Sequence, residues 1–369
     1  MIALPTQTAS ISQIIASLKN GSYDTASIGE LSEIKSGKPF DEPIPSPGAT
    51  SVTFRHDSKT KGSRAIRFSH GLIPNQNYWN RLRQLSAIVE GHSESNNEPS
   101  IVGFDVVEDA LEVDGYSMPV LIMPWVEGRS LTSYARALAE DSDEHGLQLL
   151  AENLEEFGKA IQISNFDHGD VSGGNLMVGS DGRIHLIGPD TLRHDEVQDP
   201  PITELGHVSC SHPRRSSIAM EDDLFRFPLE VLLVDVITLS KQPELVRKYG
   251  NEDSILLSEE DLANPSDSAL FHMLTNHEDD ELNSRASRLR VATEATSVTE
   301  ANSILGILSV PKPIPPAGLQ KNFPDSPLKS FVTKKSKSSR SAIGGRMPMR
   351  IPDAMKSEKG REEEKEGDE

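Results

Sequence analysis

One short stretch limits the fold of this 369-residue chain more than any other. It reads His168-Gly169-Asp170-Val171-Ser172-Gly173-Gly174-Asn175-Leu176-Met177-Val178. Upstream, across 149–163, Leu150, Leu154, Phe157, Ala160 and Ile161 recur at the spacing of an amphipathic helix. Downstream, Leu176-Met177-Val178 and Ile184 to Ile187 are divided by Ser180-Asp181-Gly182, which predicts a hairpin. Helix, acidic glycine-rich loop and hairpin in direct succession predict a mixed α+β domain that displays polar side chains on a loop.

The polar residues in that loop have the spacing of phosphoryl-transfer chemistry. An aspartate can take a hydroxyl proton while an asparagine five positions later holds a magnesium ion, and a second aspartate beyond the hairpin holds the metal that bridges the phosphates. Asp170 and Asn175 suit the first two roles. In the third place the chain reads Gly188-Pro189-Asp190, and glycine offers no side-chain oxygen. Asp190, two positions on, is the alternative metal ligand. Pro189 fixes its own φ and is expected to push Gly188 toward extended geometry.

Read outward from this loop, residues 40–310 resemble the protein-kinase-like superfamily. Ser63-Arg64-Ala65-Ile66-Arg67-Phe68 is similar to the strand that carries the phosphate-holding lysine, with Arg67 at the lysine position; a planar guanidinium is a different tool from a point-charge ammonium. Trp79, Leu82, Leu85, Ile88 and Val89 share one face of a predicted helix over 77–90. The glutamate that would pair with the lysine is missing from 84–86, and Glu90 is the nearest substitute. Strands are predicted over 100–109 and 117–125. The second enters Ile122-Met123-Pro124-Trp125-Val126-Glu127-Gly128, which resembles the hinge where backbone groups near Met123 and Trp125 would meet an adenine ring. Pro124 removes one donor. The phosphate loop is the poorest match, because Gly48 stands alone among prolines where several glycines would bare their N–H groups.

Beyond the loop, Gly206-His207 followed by His212-Pro213-Arg214 is similar to the end of an activation segment in a bacterial serine/threonine-kinase-like group. Asp223 heads an apolar helix through Ile237, and the resemblance implies that it receives backbone N–H groups of the catalytic loop. Three further helices are predicted over 267–275, 279–291 and 299–308. His207, Cys210 and His212 could suggest zinc, but no second cluster stands at ligand spacing and the resemblance accounts for both histidines. Arg214-Arg215-Ser216-Ser217 has the form of a site for a basophilic kinase.

The resemblance implies a two-lobed protein-kinase-like fold: a helical or flexible segment over 1–39, a small β-rich N-lobe over 40–124, a helical C-lobe over 125–310 and a disordered tail over 311–369. The tail starts at Val310-Pro311-Lys312-Pro313 and carries a basic serine-rich run at 334–341. It bears about +4 of a total formal charge of −20, so the remainder is strongly acidic. An acidic body argues against broad nucleic-acid binding, which needs phosphates neutralised. One cysteine, Cys210, excludes an internal disulfide and suits a reducing, cytoplasmic setting. No apolar run approaches the ~18 residues of a membrane span.

The function expected from these residues is that of a pseudokinase or nucleotide-binding regulatory module, with a protein partner or substrate and with ATP and Mg²⁺ as cofactors if nucleotide binding persists. Arg67, Gly48, Met123 and Trp125 would face the nucleotide, and Asn175 and Asp190 the metal. The first alternative is an active ATP-dependent serine/threonine kinase using Asp170, Asn175 and Asp190. The second is a small-molecule kinase of the aminoglycoside type, which shares the His-Gly-Asp loop. The oligomeric state is left open.

Overall fold

Alternation within 51–69 dictates the first layer. Val52 and Phe54, and across from them Ile66 and Phe68, put apolar side chains on one face. Thr53, Arg55, Ala65 and Arg67 take the other, since directly paired residues share a face. The structure is a computed structural model that describes residues 8–30, 32, 34, 36–37, 42–58, 60–72, 74–92, 99–197, 206–215 and 223–308. The chain divides into two units, Met1–Pro327 and Leu328–Glu369. The second unit, and the tail expected over 311–369, lie outside the described residues.

The N-terminal region is rich in β-structure. Helix α1 (Ile11–Lys19) starts at Ser10, which forms a capping box with Gln13. Strands β1 (Ser46–Pro47), β2 (Ser51–Ser58) and β3 (Gly62–Ser69) lead to helix α2 (Gln76–His92), then to β4 (Asp105–Val113) and β5 (Tyr116–Pro124). The sheet order is β1-β2-β3-β5-β4, with every neighbouring pair antiparallel. The residues of 8–34 cover one face: Ile14, Leu18, Ile28 and Ile34 pack on Phe54, Ile66, Phe68 and Val120. Arg64, almost buried, reaches from β3 to the carbonyls of Ser27 and Ile28 at 3.1 and 2.8 Å. The expected helical segment of 1–39 is thus part of this layer where it is described.

The C-terminal region is mainly helical. It comprises β6 (Gly128–Ser130), α3 (Leu131–Glu140), α4 (Glu144–Ile163), β7 (Phe166–His168), β8 (Leu176–Gly179), β9 (Ile184–Leu186), β10 (Leu192–His194), α5 (Arg226–Lys241), α6 (Asp280–Thr293) and α7 (Val298–Leu305), with shorter helices at Glu259–Ala263 and Ala269–Leu274. Helix α5 is apolar around nearly its whole circumference, and its neighbours bury it. Of the three ionisable side chains it buries, Arg226 and Glu230 are paired, and Asp235 accepts the N–H groups of Leu256 and Leu257. Glu230 meets Arg226 at 2.9 Å and Arg285 of α6 at 3.2 Å, and Arg285 reaches Glu155 of α4 at 3.2 Å. No helix among the described residues is long and apolar enough to cross a membrane.

Two sequence expectations need correction here. The strand predicted over 100–109 begins only at Asp105. Residues 100–102 instead run beside β9, Leu186 N–H donating to Ser100 O at 2.8 Å and Val102 N–H to Leu186 O at 2.9 Å. Asp223 does not receive the catalytic-loop amides. The bonds run the other way: Asp167 on β7, at the base of the loop, accepts the N–H groups of Leu224 and Phe225, the two residues after Asp223, each at 3.1 Å. Burial raises the Asp167 carboxyl pKa, against those two bonds and the nearby Arg193.

Candidate functional site

The loop 169–175 is closed by strands at its base. Phe166 to His168 pair antiparallel with Leu192 to His194, and Gly169 N–H donates to Thr191 O at 3.0 Å. At its far end Ile187 N–H donates to Asn175 O at 2.9 Å, continuing the β8–β9 hairpin. Asp170 and Asn175 are brought together as the spacing predicts. The Asn175 amide donates to Asp170 Oδ2 at 2.6 Å and to its main-chain O at 3.0 Å. The other carboxylate oxygen, Oδ1, accepts the His207 N–H at 2.7 Å. A hydroxyl proton arriving at Asp170 would therefore meet an acceptor already steadied from two sides.

His168 joins this loop to the next. It is fully buried, and burial lowers its pKa, so the imidazole is neutral. Its Nδ1 accepts the Asp170 N–H at 3.1 Å, which leaves the proton on Nε2, donated to Gly188 O at 2.8 Å. Gly188 is not extended, contrary to the expectation from Pro189. It has φ +82° and ψ +70°. The restriction before proline acts largely through the preceding residue's Cβ, and glycine has none.

The residues expected to hold nucleotide and metal are assembled differently from that expectation. Asp190 Oδ2 lies 2.6 Å from Arg67 Nη2, with the two side chains only 10% and 18% exposed. Its Oδ1 accepts the Tyr78 hydroxyl at 2.5 Å, and its main-chain O accepts from Arg81 at 3.1 Å. Tyr78 and Arg81 are three apart on α2, hence on one face. Arg67 is thus neutralised by Asp190 and not by Glu90, which is exposed. The ion pair is close but off the hydrogen-bonding axis: Asp190 Oδ2 and Arg67 Nε are both buried without an aligned hydrogen bond. A Cβ placed on Gly188 would lie 3.2 Å from Asn175 Oδ1 and 3.7 Å from Arg67 Nη1. The guanidinium therefore sits beside the space that a metal-binding aspartate would fill.

These residues do not fit a magnesium ion. Asn175 Oδ1 faces the space, but both oxygens of Asp190 are engaged and a fixed positive charge lies next to it. Among the described residues, no group of three or more His, Cys, Asp and Glu side chains is placed to hold a metal. His212 donates to Ala292 O at 3.0 Å, and burial pushes the Cys210 thiol up to about 12. Ser216 and Ser217 lie outside the described residues.

The remaining expected contacts are partly occupied. Gly48 N–H donates to Ser51 O at 2.7 Å and its carbonyl faces His70 Nε2 at 2.9 Å, so the amide closes a turn between β1 and β2. Met123 is buried opposite Ala65, and Trp125 N–H donates to Ser63 O at 3.0 Å. Arg55, which the sequence reading passed over, lies above the Trp125 ring with 5.0 Å to its centroid and pairs with Glu127 at 2.7 Å. A charged residue on the sheet face opposite Val52 and Phe54 was the available signal for Arg55. Tyr78 and Arg81 were visible only as polar positions beside an apolar stripe. No protein-family model matches the chain, and no curated protein matches it at a significant level.

Proposed function

We propose that the chain is a two-lobed protein-kinase-like module that presents binding surfaces to a protein partner and does not carry out metal-dependent phosphoryl transfer. The β1-β2-β3-β5-β4 sheet, the helix inserted between β3 and β4, and the pinned Asp170 and Asn175 loop support the kinase-like part of this reading. The pairing of Arg67 with Asp190 carries the rest. Phosphoryl transfer depends on positioning and on charge neutralisation by the metal. Here the carboxylate that could replace the missing metal ligand neutralises an arginine instead. The buried Cys210 suits a reducing compartment such as the cytoplasm.

A second reading, an active ATP-dependent serine/threonine kinase, rests on the Asn175 contact that holds Asp170 ready to accept a proton. Intact-mass measurement of autophosphorylation and transfer to a generic protein substrate, with ATP and Mg²⁺, separates the two. The wild-type chain is expected to incorporate no phosphate. Incorporation that disappears in Asp170→Ala would overturn the proposal in favour of the second reading.

A further inference from the structure

Two arginines share the sheet face turned toward the loop. Arg67 pairs across the ladder with Thr53, and Arg55 pairs with Ala65. They are diagonal neighbours, so their Cα atoms lie roughly 7–8 Å apart. Arg55 presents a planar cation against an indole, at the strand end nearest the 122–128 segment. Arg67 presents a second one beside Gly188, in a space that the Asn175 side chain also lines, its Oδ1 3.2 Å from where a Gly188 Cβ would lie. Each has acidic counter-ions that an incoming anion could displace, Asp57 and Glu127 for Arg55 and Asp190 for Arg67. Arg67 Nε is buried without a hydrogen-bond acceptor, so the guanidinium has a donor to spare.

Resting on the kinase-like reading, we infer that this face binds a nucleoside polyphosphate without a divalent cation, Arg67 taking the charge role of the metal and Arg55 stacking on the base. A guanidinium grips phosphate oxygens through two parallel N–H groups, and its planar face stacks on aromatic rings. The misfit with magnesium follows from the same residue. A dication carried in with the phosphates would be set beside Arg67 and would occupy the oxygens that Arg67 needs. Asp190 competes with the ligand for Arg67. Its neutralisation therefore strengthens binding, whereas a metal-ligand role would make the same change weaken it.

The test is isothermal titration of the full chain with ADP in EDTA, with ADP in MgCl₂, and with adenosine, on wild type, Asp190→Asn, Arg67→Met and Arg55→Gln. ADP is expected to bind in EDTA and more weakly in Mg²⁺, with adenosine far weaker than ADP. Asp190→Asn should tighten ADP binding by about three- to tenfold and Arg67→Met should weaken it by about tenfold or more, a factor of ten being ~1.4 kcal/mol. The wild-type comparison with and without Mg²⁺ needs no variant, so a misfolded variant leaves the test intact. Binding that requires Mg²⁺ and is lost in Asp190→Asn would overturn both this inference and the proposed function. Absence of ADP binding in either buffer, or equal binding of adenosine and ADP, would overturn the inference alone and leave the scaffold reading in place.

Discussion

Arg67 and Asp190 should behave as one unit in a double-mutant cycle. They approach to 2.6 Å with 18% and 10% of their side chains exposed. Unit charges about 4 Å apart attract by roughly 4 kcal/mol at an effective dielectric of ~20, and desolvation offsets part of that. Removing one partner of a buried pair commonly costs about 3–5 kcal/mol, because a lone charge stays behind. The residual exposure reduces this. Arg67→Met should cost about 2 kcal/mol, since Tyr78 still donates to Asp190. Asp190→Asn should cost about 2–3 kcal/mol, leaving the guanidinium with no anion. The double variant removes both charges and should cost no more than either single change, giving a coupling of about 2 kcal/mol. Urea unfolding of the full chain, followed by the fluorescence of Trp79 and Trp125, reads all four corners. Additivity within about 0.5 kcal/mol would refute the assignment of this pair as a mutually dependent buried contact.

Three other outcomes test the framework around the site. Burial pushes the Asp235 carboxyl up to about 8, against the N–H groups of Leu256 and Leu257 that favour its charged form. A raised folded-state pKa contributes stability below the unfolded value, here 3.8, and loses it as pH rises through the folded value. The urea midpoint should fall between pH 4 and 8, windows set by those two values, and Asp235→Asn should flatten that slope; an unchanged slope in the variant would discredit the assignment. Glu230→Gln strips the charge that balances Arg226 and Arg285 and should cost about 3–5 kcal/mol, seen as a depressed thermal midpoint. Gly158→Ala on α4 would set a Cβ 2.1 Å from Leu229 Cδ2 and 2.9 Å from Leu308 Cδ1, an overpacking of about 1–3 kcal/mol that calorimetry should register.

What could be read from the residues was local. The spacing of Asp170 and Asn175 predicts a contact inside one loop, and the hairpin after it follows from two short apolar runs divided by Ser180-Asp181-Gly182. The reading of α2 likewise needed only periodicity, whereas β3 was placed by its resemblance to the lysine strand. The parts that escaped depend on distant elements or on a local exception. The role expected of Asp223 rested on the resemblance alone, and the contact that forms instead, from the amides of Leu224 and Phe225 to Asp167, joins residues 57 and 58 positions apart. Asp190 meets Arg67 only because β3, α2 and the segment after β9 converge, and the Tyr78 hydroxyl that completes the contact belongs to a third element. Gly188 escaped because a rule for residues with a Cβ was applied to one without it. The strand start at Asp105 was misplaced because apolar Ile101 and Val102 suit a bridge to β9 as well as a strand.

The N-terminal segment sets where a usable fragment can begin. It covers an apolar sheet face, and it also satisfies the outer edge of β4, where Tyr23 bridges Leu111, Glu112 N–H donates to Ser22 O at 2.8 Å and Asp24 N–H to Ala110 O at 2.9 Å. A fragment cloned from about residue 40 would bare both at once. Open strand edges recruit other chains, and apolar sheet faces do so as well. Such a fragment is expected to go into inclusion bodies, whereas one that keeps residues 8–34 carries its own cover.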